Sequence, residues 1–172
     1  MANYAPSTRA RISDLITGMR VDTGVLAGAT YLLTGDNKTQ MFNVIGRIKI
    51  MQLFMEVITD LSNSACVMYY NYTSTTPVIT VQPISAVGAS MASKKRGFRY
   101  FCTGVTTATA CVVDAQPGIS PVIMKEKLII GLKDGVGTIG INTATASVTS
   151  GTVRFSLFYV PMSDGAYATN IL

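Results

Sequence analysis

The stretch GTVRFSLFYV, Gly151 to Val160, decides the fold. Val153, Phe155, Leu157 and Tyr159 fall on one side of an extended chain, and Arg154, Ser156, Phe158 and Val160 on the other. A helix would scatter both sets around its circumference, so the period-two alternation predicts a strand. Both sides carry large apolar groups toward the C-terminal end. The strand is therefore expected deep in a sheet or against another subunit.

Working outward, β-branched and aromatic residues recur from Ala29 onward in short runs divided by Gly, Asp, Asn, Pro and Ser clusters. Strands are predicted at ATYLLT (29–34), QMFNVIGRIKIMQLFMEVIT (40–59, two strands or one bent around Gly46), SACVMYYNYT (64–73) and PVITVQ (77–82). Further strands are predicted at GFRYFCTG (97–104), TATACVVD (107–114), EKLIIGLK (126–133) and GTIGINT (137–143). GDNK at Gly35 to Lys38, QPG at Gln116 to Gly118, KDGVG at Lys133 to Gly137 and TSG at Thr149 to Gly151 supply turn residues between them. The pattern is that of an all-β sandwich or barrel of about nine or ten strands, residues 29–172, with an N-terminal arm at residues 1–28. In the arm, Ser7 or Thr8 is placed to cap a short helix carrying Ile12, Leu15 and Ile16 on one face before Gly18 ends it.

With 172 residues the chain suits one domain plus an arm, able to bury roughly two thirds of its unfolded surface without disulfide or metal. Charged residues are 13% of the sequence, against about 25% in typical soluble domains, so Thr, Ser, Asn and Gly must supply much of the polar surface. Such a surface is suited to being covered. The net charge of +5 is below what a dedicated nucleic-acid binder carries and points instead to an acidic partner. Cys66, Cys102 and Cys111 are an odd number at spacings matching no CxxC pattern, so neither a disulfide framework nor a zinc site is indicated, and free, buried thiols made in a reducing compartment are expected. No apolar run approaches the roughly 18 residues of a membrane span, and MANYAPSTRAR lacks the hydrophobic core of a signal peptide.

The residue types for chemistry are sparse. With no histidine, Ser-His and Cys-His catalysis is excluded, and Ser93 beside Lys94 points the wrong way for a Ser-Lys pair. The nine acids are scattered, and Asp36, Asp114, Asp134 and Asp164 sit where turns need them. Glu56 and Asp60 read as edge or surface charges. GLKDGVG lacks the GKS/T ending of a phosphate-binding loop. No enzymatic activity, small-molecule substrate, cofactor, metal or catalytic residue is expected. Tyr69, Tyr70 and Tyr72 cluster, with Tyr70 and Tyr72 on one side, and core packing competes there with a sugar-stacking platform.

The most charged segment is SKKRGFRY, in which Lys94, Lys95, Arg96 and Arg99 are interleaved with Phe98 and Tyr100. Basic and aromatic groups together bind nucleic acid, but a solvated turn whose lysines block edge pairing is the preferred reading, so direct nucleic-acid binding is not expected. Docking on an acidic protein face is the third reading. With Arg9, Arg11 and Arg20 of the arm, these four residues are the candidate partner contacts.

GTIGINTATASVTSGTVRFSLFYVPMSDGA, Gly137 to Ala166, resembles the C-terminal end of small virion proteins of tailed bacteriophages, where a GTIG strand and a Thr/Ser/Gly turn precede a strand ending in YVP. TYLLTGDNKTQMFNVIGRIKIMQLFMEVIT, Thr30 to Thr59, is similar to the opening hairpin of that group, and PISAVGASMASKKRGFRYFCTG, Pro83 to Gly104, to its middle. The basic SKKRGFR segment departs from the smaller, less charged residues expected there. The resemblance implies an antiparallel β-sandwich or jelly-roll-like module serving as a non-enzymatic capsid decoration or cement protein, a dimer or trimer. Made in the host cytoplasm, it would bind the major capsid protein on the outer surface of the virion, with no membrane contact. It carries no site residues. A tail, fibre or baseplate component, and a carbohydrate- or nucleic-acid-binding module, are the alternatives.

Overall fold

A computed structural model describes residues 18–75, 78–102, 111–113, 128–132 and 134–172. The predicted arm helix, the QPG turn and most of the 107–114 strand lie outside them. Among the described residues, no helix is long and apolar enough to cross a membrane.

Among the described residues, twelve strands and one helical turn follow in order: β1 (Met19–Asp22), β2 (Leu26–Ala27), α1 (Gly28–Tyr31), β3 (Gly35–Ile45), β4 (Ile48–Thr59), β5 (Val67–Thr75) and β6 (Val78–Pro83). Then come β7 (Arg99–Phe101), β8 (Val112–Val113), β9 (Ile129–Ile130), β10 (Val136–Ala144), β11 (Thr152–Pro161) and β12 (Tyr167–Asn170). They form two antiparallel sheets, as the alternation predicts. One runs β1-β11-β4-β7-β8, with β2 also on β11 and β9 also on β4; the other runs β12-β3-β10-β5-β6. β1 and β2 occupy successive stretches of the same edge of β11, near Leu157 and near Val153 respectively. Between them Thr23 bridges the gap: its N–H donates to Phe155 O and its Oγ1 accepts from Phe155 N, both at 3.0 Å. No backbone group of Phe155 is left unpaired where the strand breaks.

The connectivity is nested. β1 pairs with β11, β3 with β10, β4 with β7 and β5 with β6, so the first of these eight long-range partners meets the last and the two middle ones form a hairpin. The chain behaves as one long double-stranded ribbon folded across itself. Folding it places β11 beside β4 in one sheet and β10 beside β5 in the other. Gly46, at φ +70°, reverses the chain between β3 and β4, and an added Cβ there would lie 2.9 Å from that of Ala166.

The core fills the space between the sheets. Val153, Phe155, Leu157 and Tyr159 of β11 are buried against Ile50, Leu53, Met55 and Val57 of β4, and Phe42, Val44, Tyr70, Ile139 and Ile141 close it from the opposite sheet. Two tyrosines tie the sheets together. Tyr70 Oη, from β5, donates to Tyr100 O of β7 at 2.8 Å, and Tyr159 Oη, from β11, accepts from Ala168 N of β12 at 3.0 Å. Each phenol thus finds a partner where an unpaired one would be costly. Tyr70 and Tyr72 belong to the core, as their shared face allows.

Several boundaries differ from the sequence reading. ATYLLT is not a strand: Gly28–Tyr31 makes a helical turn with Leu32 N bonded to Gly28 O at 2.8 Å, and GDNK lies within β3 instead of forming a turn. The chain here crosses from one sheet to the other, and a Cβ on Gly28 would lie 2.8 Å from Val148 Cγ1, so the crossing is closely packed. Leu32 is completely buried there, which satisfies its hydrophobicity without a ladder. Met19–Asp22 and Leu26–Ala27, inside the stretch read as an arm, are strands because the edge of β11 offers them partners. β12, beyond Val160, carries too few apolar residues to be seen in the sequence.

Candidate interaction surfaces

The basic loop packs on the end of β4. Lys94 O accepts from Leu61 N (2.9 Å), Ser62 O from Ser93 N (3.0 Å) and Val57 O from Gly97 N (2.8 Å). Asp60 organises its tip: Oδ2 accepts from Lys95 Nζ at 2.9 Å and Oδ1 from Arg96 N at 2.8 Å. The Lys95 hydrogen bond, followed by that of the Arg96 backbone, holds the Asp60 carboxyl below its ordinary range. The Lys94 ammonium stands 4.9 Å from the Phe98 ring centroid, and Phe98 packs on the core. Tyr100 is fully buried with its hydroxyl donated to Ser90 O. The two aromatics of SKKRGFRY therefore offer no open faces for stacking bases, whereas Lys95 and Arg96 present exposed charge.

Arg99 and Arg20 lie elsewhere, on the side of the seven-stranded sheet that faces away from the core. There Arg20 of β1 lies opposite Phe158 of β11, Phe54 of β4 lies opposite both Ser156 of β11 and Phe101 of β7, and Phe158 meets Phe54 on the diagonal. The Arg20 guanidinium lies 5.3 Å from the Phe158 centroid, Phe158 stacks on Phe54 at 6.2 Å, and Phe54 meets Phe101 at 5.2 Å. Arg20 also pairs with Asp22 at 2.9 Å. Burial alone would raise the Asp22 carboxyl, but hydrogen bonds from Ser156 and Arg20 outweigh it and the net shift is downward.

In the next row Glu56 occupies β4 between Arg154 of β11 and Arg99 of β7, and its Oε2 accepts from Arg154 Nη2 at 2.6 Å. Glu56 is thus an organising charge between strands. Changing Glu56→Gln is expected to lower stability by about 1–2 kcal/mol, between the values for exposed and buried pairs, because it leaves two cationic strands flanking an uncharged one. Urea denaturation of the variant at low and high salt measures this, with the loss shrinking as salt rises.

A third surface lies at the opposite end of the sandwich from the basic loop. The β3–β4 turn, the start of β6, the β9–β10 turn and the β11–β12 loop meet there, as the pairings Val136↔Ile45, Ile48↔Ile130, Tyr167↔Ile45 and Thr75↔Val78 require. Val78, Ile129, Leu132, Val136, Met162 and Tyr167 are all exposed at this end, Val78 to 81%. Apolar exposure concentrated on one end marks an interaction surface. Composition hinted at such a surface; its location depends on register, which no local pattern reports.

Of the sequence candidates, Lys94, Lys95 and Arg96 share the loop at one end, Arg20 and Arg99 lie on the outward sheet face, and Arg9 and Arg11 are outside the described residues. Among the described residues no group of three or more His, Cys, Asp or Glu is arranged to hold a metal ion. No protein-family model matches this chain, and neither curated proteins nor solved structures give a match.

Proposed function

We propose that this protein is a structural component of a virion, a capsid decoration or cement protein of a tailed phage that binds the outer face of the head as a homo-oligomer. The observation that carries the reading is the nested pairing β1·β11, β3·β10, β4·β7, β5·β6. Nesting of this kind across two antiparallel sheets supports a jelly-roll reading, an architecture of viral capsid domains and of lectins. Fold alone does not assign function, and the surface supports the virion side. An apolar end suits contact with further copies of the chain, and a basic end suits an acidic lattice formed by the major capsid protein. The tyrosines that a sugar-binding module would stack on, Tyr70 and Tyr72, are in the core.

Binding to capsids assembled from the accompanying major capsid protein tests this, read by co-sedimentation. The full chain is expected to saturate at fixed stoichiometry. Because Met19–Asp22 is part of the sheet, the deletion that isolates the arm ends at residue 17. Removing residues 2–17, or changing Lys94→Glu together with Arg96→Glu, is expected to lower occupancy about tenfold at limiting protein while the thermal transition is retained. Absence of binding by the full chain overturns the proposal, and unchanged occupancy in both variants overturns the assigned contacts.

A further inference from the structure

The β7–β8 pairing has a chemical consequence at its end. Tyr100 lies opposite Val113 and Phe101 opposite Val112, so the same antiparallel register sets Cys102 directly opposite Cys111. The hydrogen bonds on the other side of β7 define the kind of pair. Cys102 N donates to Leu53 O of β4 at 2.8 Å, and Phe98 O accepts from Val57 N, so the backbone groups of residues 98, 100 and 102 point toward β4 and those of 99 and 101 toward β8. Cys102 and Cys111 therefore form a non-hydrogen-bonded pair, the closer of the two antiparallel types, with a typical Cα separation of about 4.5 Å. That falls within the range of about 4.4–6.8 Å over which disulfides form.

The sulfurs converge independently of this register. Cys102 Sγ is 3.4 Å from Ile84 O, and Cys111 Sγ is 3.2 Å from Ser85 Oγ and 4.0 Å from Ala86 O, so both approach one three-residue stretch after β6. Both also lie close enough to the Tyr70 hydroxyl to disfavour its ionisation. Both side chains face the core, as does Tyr100 of β7. Cys66 lies just before β5, with Sγ 3.8 Å from Val67 O.

We propose that Cys102 and Cys111 are a cross-strand disulfide site: dithiol in a reducing compartment and oxidised to a single intrachain bridge when the protein meets a disulfide oxidant such as oxidised glutathione. The thiolate of one cysteine attacks the oxidant, forms a mixed disulfide and expels one glutathione thiolate. The second cysteine then attacks the protein sulfur of that mixed disulfide and expels the other glutathione. Two thiols and one small-molecule disulfide become one protein disulfide and two glutathione thiols, with two electrons passed to the oxidant. Both side chains are buried and the Cys111 thiol is pushed up to about 11 by burial, so exchange waits for β8 to part from β7 and is accelerated by mild denaturant. The bridge pins β8 to β7 at one edge of the larger sheet.

The test uses the full native chain, equilibrated with oxidised glutathione in dilute urea below the unfolding transition and then alkylated in denaturant. Alkylatable thiols are expected to fall from three to one, the survivor being Cys66, with the intact mass reduced by two hydrogens. A non-reducing peptide map is expected to join the Cys102 and Cys111 peptides. The oxidised protein should melt about 5–10 °C higher, reversed by reductant, and Cys66→Ser should leave the linkage intact. Three persisting thiols, stable mixed glutathione adducts, a linkage through Cys66 or between chains, or a bridged protein that melts lower would each overturn the site.

Discussion

Replacing Tyr70 with alanine is expected to remove about 5 kcal/mol of stability, enough to unfold much of the population at physiological temperature. Tyr70 is fully buried between the sheets, and truncating a buried aromatic costs about 3–5 kcal/mol in lost transfer energy and cavity. The hydrogen bond from the phenol to the Tyr100 carbonyl is also lost, with a net worth of about 0.5–1.5 kcal/mol. Against a total of about 5–15 kcal/mol for an ordinary domain, the sum is decisive. Tyr70→Phe separates the two contributions: it keeps the ring, removes only the hydrogen bond and should cost about 1–2 kcal/mol. Equilibrium denaturation of both variants measures them. A loss below about 2 kcal/mol for Tyr70→Ala would mean that the sheets are not packed around this ring.

The second large effect is alkaline. Burial pushes the Cys66 and Cys111 thiols from about 9 up to about 11, and it raises the Tyr70 and Tyr100 hydroxyls as well. Between pH 9 and 11 the unfolded chain has released protons that the folded chain still holds. Stability is therefore complete below about pH 9 and lost as pH rises through the folded values. At about 1.4 kcal/mol for each pKa unit, the two thiols together remove on the order of 5 kcal/mol by pH 11, and the tyrosines act in the same direction. Denaturation midpoints measured with a reductant present should be level near neutrality and fall steeply over this window, and Cys111→Ala should make the fall shallower. A midpoint that stays level to pH 11 would contradict the burial of these groups.

How much of this was legible in the sequence depends on the range of the interaction. The alternation in Gly151 to Val160 announced β11 and its inward face, because period-two burial is a local property of one strand. Gly46 marked the β3–β4 reversal for an equally local reason. ATYLLT misled because an apolar run that plugs the end of a sandwich has the composition of a strand; only the crossing between sheets, a long-range feature, makes it a helical turn. β1 and β2 were hidden for a related reason, since what makes Met19–Asp22 a strand is the vacant edge of β11, more than 130 residues away.

The candidate surfaces divide in the same way. Lys94, Lys95 and Arg96 stand out in the sequence as a charged run and remain together in space. The Arg20–Phe158–Phe54–Phe101 chain of contacts draws on four strands and exists only through their register, with Phe158 and Phe54 meeting on the diagonal. The large apolar groups on both sides of the Gly151 to Val160 stretch were the one advance sign of it, since Phe158 had to meet something on the outward face. Glu56 read as an edge charge because its partners, Arg154 and Arg99, lie on the two neighbouring strands.

As a virion component, this two-sheet β module is expected to associate with copies of itself. Light scattering coupled to size-exclusion chromatography of the full chain, over a range of micromolar concentrations, tests it most directly. The account predicts one dominant species at two or three times the 18.3 kDa chain mass, dispersed to monomer by polar substitution of Val78, Leu132 and Tyr167 at the apolar end. A single species of 18.3 kDa at every concentration would contradict it.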